Sequence, residues 1–112
     1  MSRNYLEEAL VTTWKTRKTD NFMSALFFFA RLLLKEGDVG SQLKFQKQTQ
    51  AFELLSIIVQ HPSTWQVIRE RANHAKSELA SVLPENITTM FSVLPNWQEW
   101  ARQFIHGLGN YD

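Results

Sequence analysis

Cysteine is absent from the 112-residue chain, which excludes a disulfide framework, a thiolate zinc site and a cysteine nucleophile together. Glycine is sparse, with four residues, and none of them builds the glycine-rich turn that cradles a nucleotide phosphate. Charge of one sign is missing too. The formal net charge is +1 with 21% charged residues, so a charge-driven partner must meet a local patch rather than the field of the whole molecule. The longest apolar stretch, residues 23–34, is interrupted by Ser24 and Arg31 and falls short of the roughly 20 residues that span a bilayer. A buried helix is the expectation there. Met1-Ser2-Arg3-Asn4 runs into polar helical sequence without the apolar core of a secretory signal, so the expected location is the cytoplasm.

The three prolines, Pro62, Pro84 and Pro95, stand between amphipathic stretches, and no segment alternates apolar and polar residues beside turn chemistry. These patterns predict one all-α domain over residues 1–112, with about six helices arranged as antiparallel hairpins. In the first helix, residues 4–17, Leu6, Leu10 and Trp14 share a stripe, and Lys15, Arg17 and Lys18 collect at the end whose dipole favours cations. A second helix is bracketed by Asp20 as an amide-accepting cap and Gly37 as its left-handed stop. Phe22, Leu26, Phe29 and Leu33 form one stripe and Met23, Phe27, Ala30 and Leu34 its neighbour. Such a helix must be packed on several sides.

A third helix over 41–60 carries Phe52, Leu55 and Val59 beside Ala51, Leu54 and Ile58, and is expected to lie antiparallel to the second, giving a hairpin over 20–61. His61-Pro62 ends it. Ser63 with Gln66 is a capping-box pattern for a fourth helix, whose expected buried stripe is Trp65, Ile68, Ala72, Ala75, Leu79 and Val82, with Arg69, Glu70, His74 and Glu78 facing water. Closing helices over 63–107 include a short one from Leu83-Pro84-Glu85 to about Ser92. The last opens on a second capping-box pattern, Asn96 with Glu99, and holds Trp97, Trp100, Phe104 and Ile105 before Gly107 and Gly109. The tail from Leu108 is expected to fray unless Tyr111 docks.

Ala25-Leu26, Ala30-Arg31-Leu32-Leu33, Gly37-Asp38, Ala51 with Glu53-Leu54-Leu55, His61-Pro62, Arg69 to Ala72, and Glu78-Leu79 through Leu83-Pro84 together resemble the closing tetratricopeptide repeat of multidomain bacterial regulators, those built on a signalling NTPase or transcriptional activator. The likeness covers about two-thirds of the chain. It implies a tetratricopeptide-like fold in which small residues mark close helix approach. It also implies a C-terminal helical segment that senses a partner and regulates an effector. One departure is the stretch 39–50, VGSQLKFQKQTQ, which adds roughly two helical turns before the alanine of the second repeat helix. It carries Leu43, Lys44, Phe45 and Lys47 and no acidic residue. It either exposes a basic, hydrophobic edge for a partner or covers the first helix.

His61, His74 and His106 are the only histidines. Glu70 and Glu78 flank His74 at helical spacing, which reads as a solvated ion-pair ladder rather than a metal site. His61 faces a helix C-terminus, where its charged form would be favoured. No serine or threonine has a histidine-plus-acid neighbourhood, so neither an enzyme nor a cofactor is expected. Asn86-Ile87-Thr88 is a chance match to a glycosylation acceptor. Four tryptophans are many for this length, and Trp97 with Trp100 serve either the core or an interface, a homodimer included.

The expected function is a non-enzymatic protein-interaction or sensor module that binds a protein or peptide partner through its helical hairpins, with Leu43, Lys44, Phe45, Lys47, Trp97 and Trp100 as contact residues. One rival is nucleic-acid binding, since residues 1–50 hold eight Lys/Arg against five Asp/Glu and Lys15, Arg17 and Lys18 cluster. Another is a structural cap or dimerisation fragment of a longer repeat array.

Overall fold

The computed structural model describes residues 3–36, 41–91 and 96–108, with side chains over 5–35, 44–91 and 96–108. Six helices appear among them: α1 (Arg3–Lys15), α2 (Thr19–Glu36), α3 (Ser41–Gln60), α4 (Gln66–Ala80), α5 (Glu85–Met90) and α6 (Trp97–Gly107). No strand occurs among the described residues. The Cα radius of gyration is 13.4 Å, close to the roughly 13 Å of one compact unit of about this length.

Helix α2 is the hub because its sequence is apolar on most of its circumference. Phe22, Met23, Leu26, Phe29, Ala30 and Leu33 are all buried. α1 covers one side with Leu6, Leu10 and Val11, and α3 covers another with Ala51, Leu54, Leu55 and Ile58. Each such aliphatic or Phe side chain contributes about 1.5–3 kcal/mol when fully removed from water. Helix α4 then packs on α3 through Ile68, Ala72 and Leu79. Ala30, Ala51 and Ala72 are fully buried, which is where the absence of a larger side chain lets the helix axes approach.

Helix ends fix the direction of each element. The Trp65 indole, at the start of α4, donates to the Asp20 carboxylate in the first turn of α2 at 3.2 Å, so those two helices begin at the same end of the molecule. The end of α3 arrives there as well, because the His61 ring lies 4.4 Å from Trp97, which in turn packs on Phe22. The order α2, α3, α4 therefore alternates in direction, as hairpins do. Helix α6 runs parallel to α2 in register: Trp97 meets Phe22 and, two turns later, Phe104 meets Phe29.

Local hydrogen bonds correct several of the expectations from sequence. Helix α1 stops at Lys15, earlier than residue 17, because Arg17 adopts φ 59°. The Arg17 amide bonds to Trp14 O and the Lys18 amide to Thr13 O, which is the Schellman closure with arginine where glycine is usual. A non-glycine residue in that region costs about 1–2 kcal/mol. Asp20 is not the cap of α2. The Phe22 amide bonds to Lys18 O, which sets the helix start two residues earlier, and Asp20 instead accepts the Asn21 amide and the Trp65 indole.

The Ser63/Gln66 capping box does not form: the residue flanking α4 is Trp65, with no side-chain cap. Thr64 makes the corner instead. Its buried hydroxyl donates to Ile58 O at 2.7 Å, while Arg69 donates to His61 O at 2.8 Å. The first of these serves a carbonyl that Pro62 cannot reach for want of an N–H, and the second adds to the Thr64 amide on His61 O. Arg69 is half-buried rather than facing water, and Trp65 and Val82, expected in the stripe of α4, are 52% and 63% exposed. Helix α5 ends at Met90, before residue 92. At α6, Asn96 does cap, accepting the Gln98 and Glu99 amides. The Glu99 side chain turns the other way, to Arg102 and Gln103, so the reciprocal half of that box is not what holds the end. The stops expected at Gly37 and Gly109, and docking by Tyr111, lie outside the described residues.

Candidate interaction groove

Three helix termini, the end of α1 and the starts of α2 and α6, converge at the aromatic end of the molecule and leave a groove of about 650 Å³. One wall is the last turn of α1 and the turn after it, with Trp14, Lys15 and Arg17. The other is the start of α6, with Trp97 and Arg102, and Phe22 of α2 forms the floor. The aromatic walls are braced against each other. Trp14 and Trp97 meet edge to face at 5.9 Å, and Phe22 lies 5.6 Å from Trp14, separations at which aromatic pairs attract beyond their buried area. Three cations, Lys15, Arg17 and Arg102, line the rim against one carboxylate, Glu99, and that carboxylate is already paired with Arg102. The groove is thus apolar at its base and cationic at its mouth. Its volume lies within the range of about 300–1,000 Å³ typical of ligand clefts.

Two polar side chains of the groove are bonded to nearby backbone. The Thr13 hydroxyl donates into its own helix, to Ala9 O at 2.7 Å and Leu10 O at 3.1 Å. Asn96 spends its side-chain oxygen on the α6 amides. Among the described residues, no group of three or more His, Asp or Glu side chains is placed to hold a metal ion. His74 pairs with Glu78 at 3.1 Å on an exposed face.

His61 stands behind the Trp97 wall. Its Nδ1 accepts the Ser63 amide at 3.0 Å, which only a ring unprotonated at Nδ1 can do. Partial burial, and then the Arg69 guanidinium, hold its pKa below the usual histidine value. The charged form expected at the α3 C-terminus is instead disfavoured, by desolvation first and the neighbouring Arg69 second. Because the folded state binds this proton less readily than the unfolded chain, stability is full above the unfolded pKa of about 6.5 and declines as pH falls through it. Urea titrations from pH 7.5 to 5 should show that decline for the parent chain and a flatter profile for His61→Asn. Lys76 is also shifted down by burial, with its ammonium 5.5 Å from the centre of the Phe52 ring.

The contact residues expected from sequence do not form one patch. Trp97 is a groove wall. Trp100 lies one turn on, donating to the Glu53 carboxylate at 2.8 Å and stacking on Phe104. Lys44 and Phe45 sit near the start of α3, roughly 24 Å of helix from His61, and Phe45 is 45% exposed. Lys47 is half-exposed on the same part of α3, and the Leu43 side chain lies outside the described residues. The partners of Trp97 in the groove escaped the sequence reading. In the sequence Arg17 is one of three clustered cations, and nothing in the spacing of residues 14, 17, 97 and 102 announces that they meet.

A more open surface of about 560 Å³ lies between α2 and α4, where Arg31 and Arg71 alternate with Glu70 and Glu78. Tyr5 near the start of α1 and Val82 after α4 are exposed toward the end of the molecule opposite the groove. No helix among the described residues is long and apolar enough to cross a membrane. No family model, curated protein or solved structure matches the chain.

Proposed function

We propose that the protein is a non-enzymatic interaction module that holds a segment of a partner protein in the groove between the end of α1 and the start of α6. The observation that carries this reading is the pairing of Trp14 and Trp97 walls with a rim of Lys15, Arg17 and Arg102. Tryptophan and arginine are the residues that most often dominate protein interfaces. A rigid aromatic floor also limits the ordering cost that weakens binding to a mobile surface. The resemblance to the closing tetratricopeptide repeat of bacterial regulators supports the same class of role, a cytoplasmic sensor or adaptor within a signalling system.

Nucleic acid is the main rival occupant, because Lys15 and Arg17 line the groove. A protein occupant is favoured because the chain carries a net charge of only +1, whereas nucleic-acid affinity grows with the number of phosphates neutralised. Site-specific photo-cross-linking in the native cell tests the proposal. A cross-linking residue at Gln98, on the groove, is expected to capture a discrete protein that one at Lys44 does not. That protein, once purified, should bind the chain and shift the amide resonances around Trp14 and Trp97. Capture from Lys44 alone, or of RNA or DNA in place of protein, would overturn the assignment of the groove.

A further inference from the structure

We infer that the segment held by the groove is acidic and carries an apolar side chain, with carboxylates on the Arg17 side of the rim and the apolar group against Trp97. This rests on the interaction reading above and gives it a partner chemistry. Charge complementarity is the argument. Among the described lining residues Arg102 and Glu99 neutralise each other, and the other two charged side chains, Lys15 and Arg17, are both cationic, a sign whose field selects against basic segments. The α6 amides do not supply that field, since Asn96 already accepts two of them. A guanidinium binds carboxylate through two parallel N–H bonds, which fits Arg17 at the lip of the cleft. Below it, the exposed faces of Trp14 and Trp97 offer area to one aliphatic or aromatic side chain.

Arg17 makes the inference separable from a structural role. It occupies a left-handed position, φ 59°, where glycine would be free of strain. Strained residues persist where the side chain has a task or the surroundings over-determine them. Arg17→Gly is therefore expected to raise Tm by roughly 4 °C and at the same time to weaken binding. A residue that served only the fold would not move the two in opposite directions.

A display library of random nine-residue peptides, panned on the full chain, provides the probe. Enriched peptides are expected to be rich in Asp and Glu around one Leu, Phe or Trp. They should bind at least about 10-fold less tightly to Arg17→Gly or when their acids are exchanged for amides, and to weaken from 50 to 300 mM salt as screening predicts. The inference is overturned by enrichment of neutral or basic peptides, by no enrichment, or by unchanged affinity in Arg17→Gly. Tighter binding of a 12-nucleotide poly(dT) than of any acidic peptide also overturns it, in favour of phosphate recognition. A protein captured at Gln98 whose contact segment is not acidic defeats this inference and leaves the interaction reading standing.

Discussion

Phe22→Ala is expected to lower stability by about 3–5 kcal/mol, enough to take most of the margin of a domain whose total is about 5–15 kcal/mol. The ring is only 1% exposed and sits where three helices meet, 5.6 Å from Trp14 of α1 and 6.4 Å from Trp97 of α6. Truncation loses the transfer free energy of the ring. It also leaves a void that two braced indoles cannot readily fill, because collapse of either would break its packing on the other. Urea unfolding monitored by far-UV circular dichroism reads the change directly. A loss under about 1 kcal/mol would mean that the ring does not join α1, α2 and α6 as described.

The second large effect is expected at Trp97. Its ring touches Trp14, Phe22 and His61, and it is half-buried, so Trp97→Ala should cost somewhat less than a full core truncation, about 2–3 kcal/mol. The loss should be local. Among the closest helix pairings are α1 with α2, α2 with α3 and α3 with α4, whereas α6 is joined to its neighbours through its aromatic side chains, buried Ala101 and Ile105, and the Trp100 to Glu53 bond. Helices held that way open on their own before the rest unfolds. Hydrogen exchange of residues 97–107 is therefore expected to accelerate in Trp97→Ala while amides of α2 and α3 keep their protection. Uniform acceleration through all helices would show instead that α6 is part of one cooperative unit.

The groove depends on both results, since each variant removes a surface that defines it. Arg17→Gly differs in kind, because it leaves Trp14, Phe22 and Trp97 in place and changes only the rim. Comparing the three separates loss of shape from loss of charge.

Much of the helical core was legible because burial leaves a periodic trace. Phe22, Leu26, Phe29 and Leu33 recur along one line of α2, and Ala51, Leu54 and Ile58 along α3; all are buried. The Asn96 cap was legible too, being a contact between residues two and three apart. Trp65 shows where the trace fails. Its spacing from Ile68 and Ala72 fits the buried stripe, yet it stands outside the first turn of α4, and a bond to Asp20, 45 residues away, holds it at the surface. The Ser63 pattern failed for a related reason: the corner is closed by Thr64 and Arg69 reaching back to α3 carbonyls, bonds that no local pattern records.

By itself, the order of apolar and polar residues determined that this chain is helical, where each helix lies to within about two residues, and most of the faces that must be covered, because those outcomes depend on neighbours within one or two turns. Only the tertiary structure decided that the end of α1 and the start of α6 face each other, so that Trp14, Arg17, Trp97 and Arg102 share one groove. It also decided that His61 is held below its usual pKa. The physical reason is that charge and desolvation act through space: packing on α2 brings the groove residues together, and the α3–α4 corner sets Arg69 against His61.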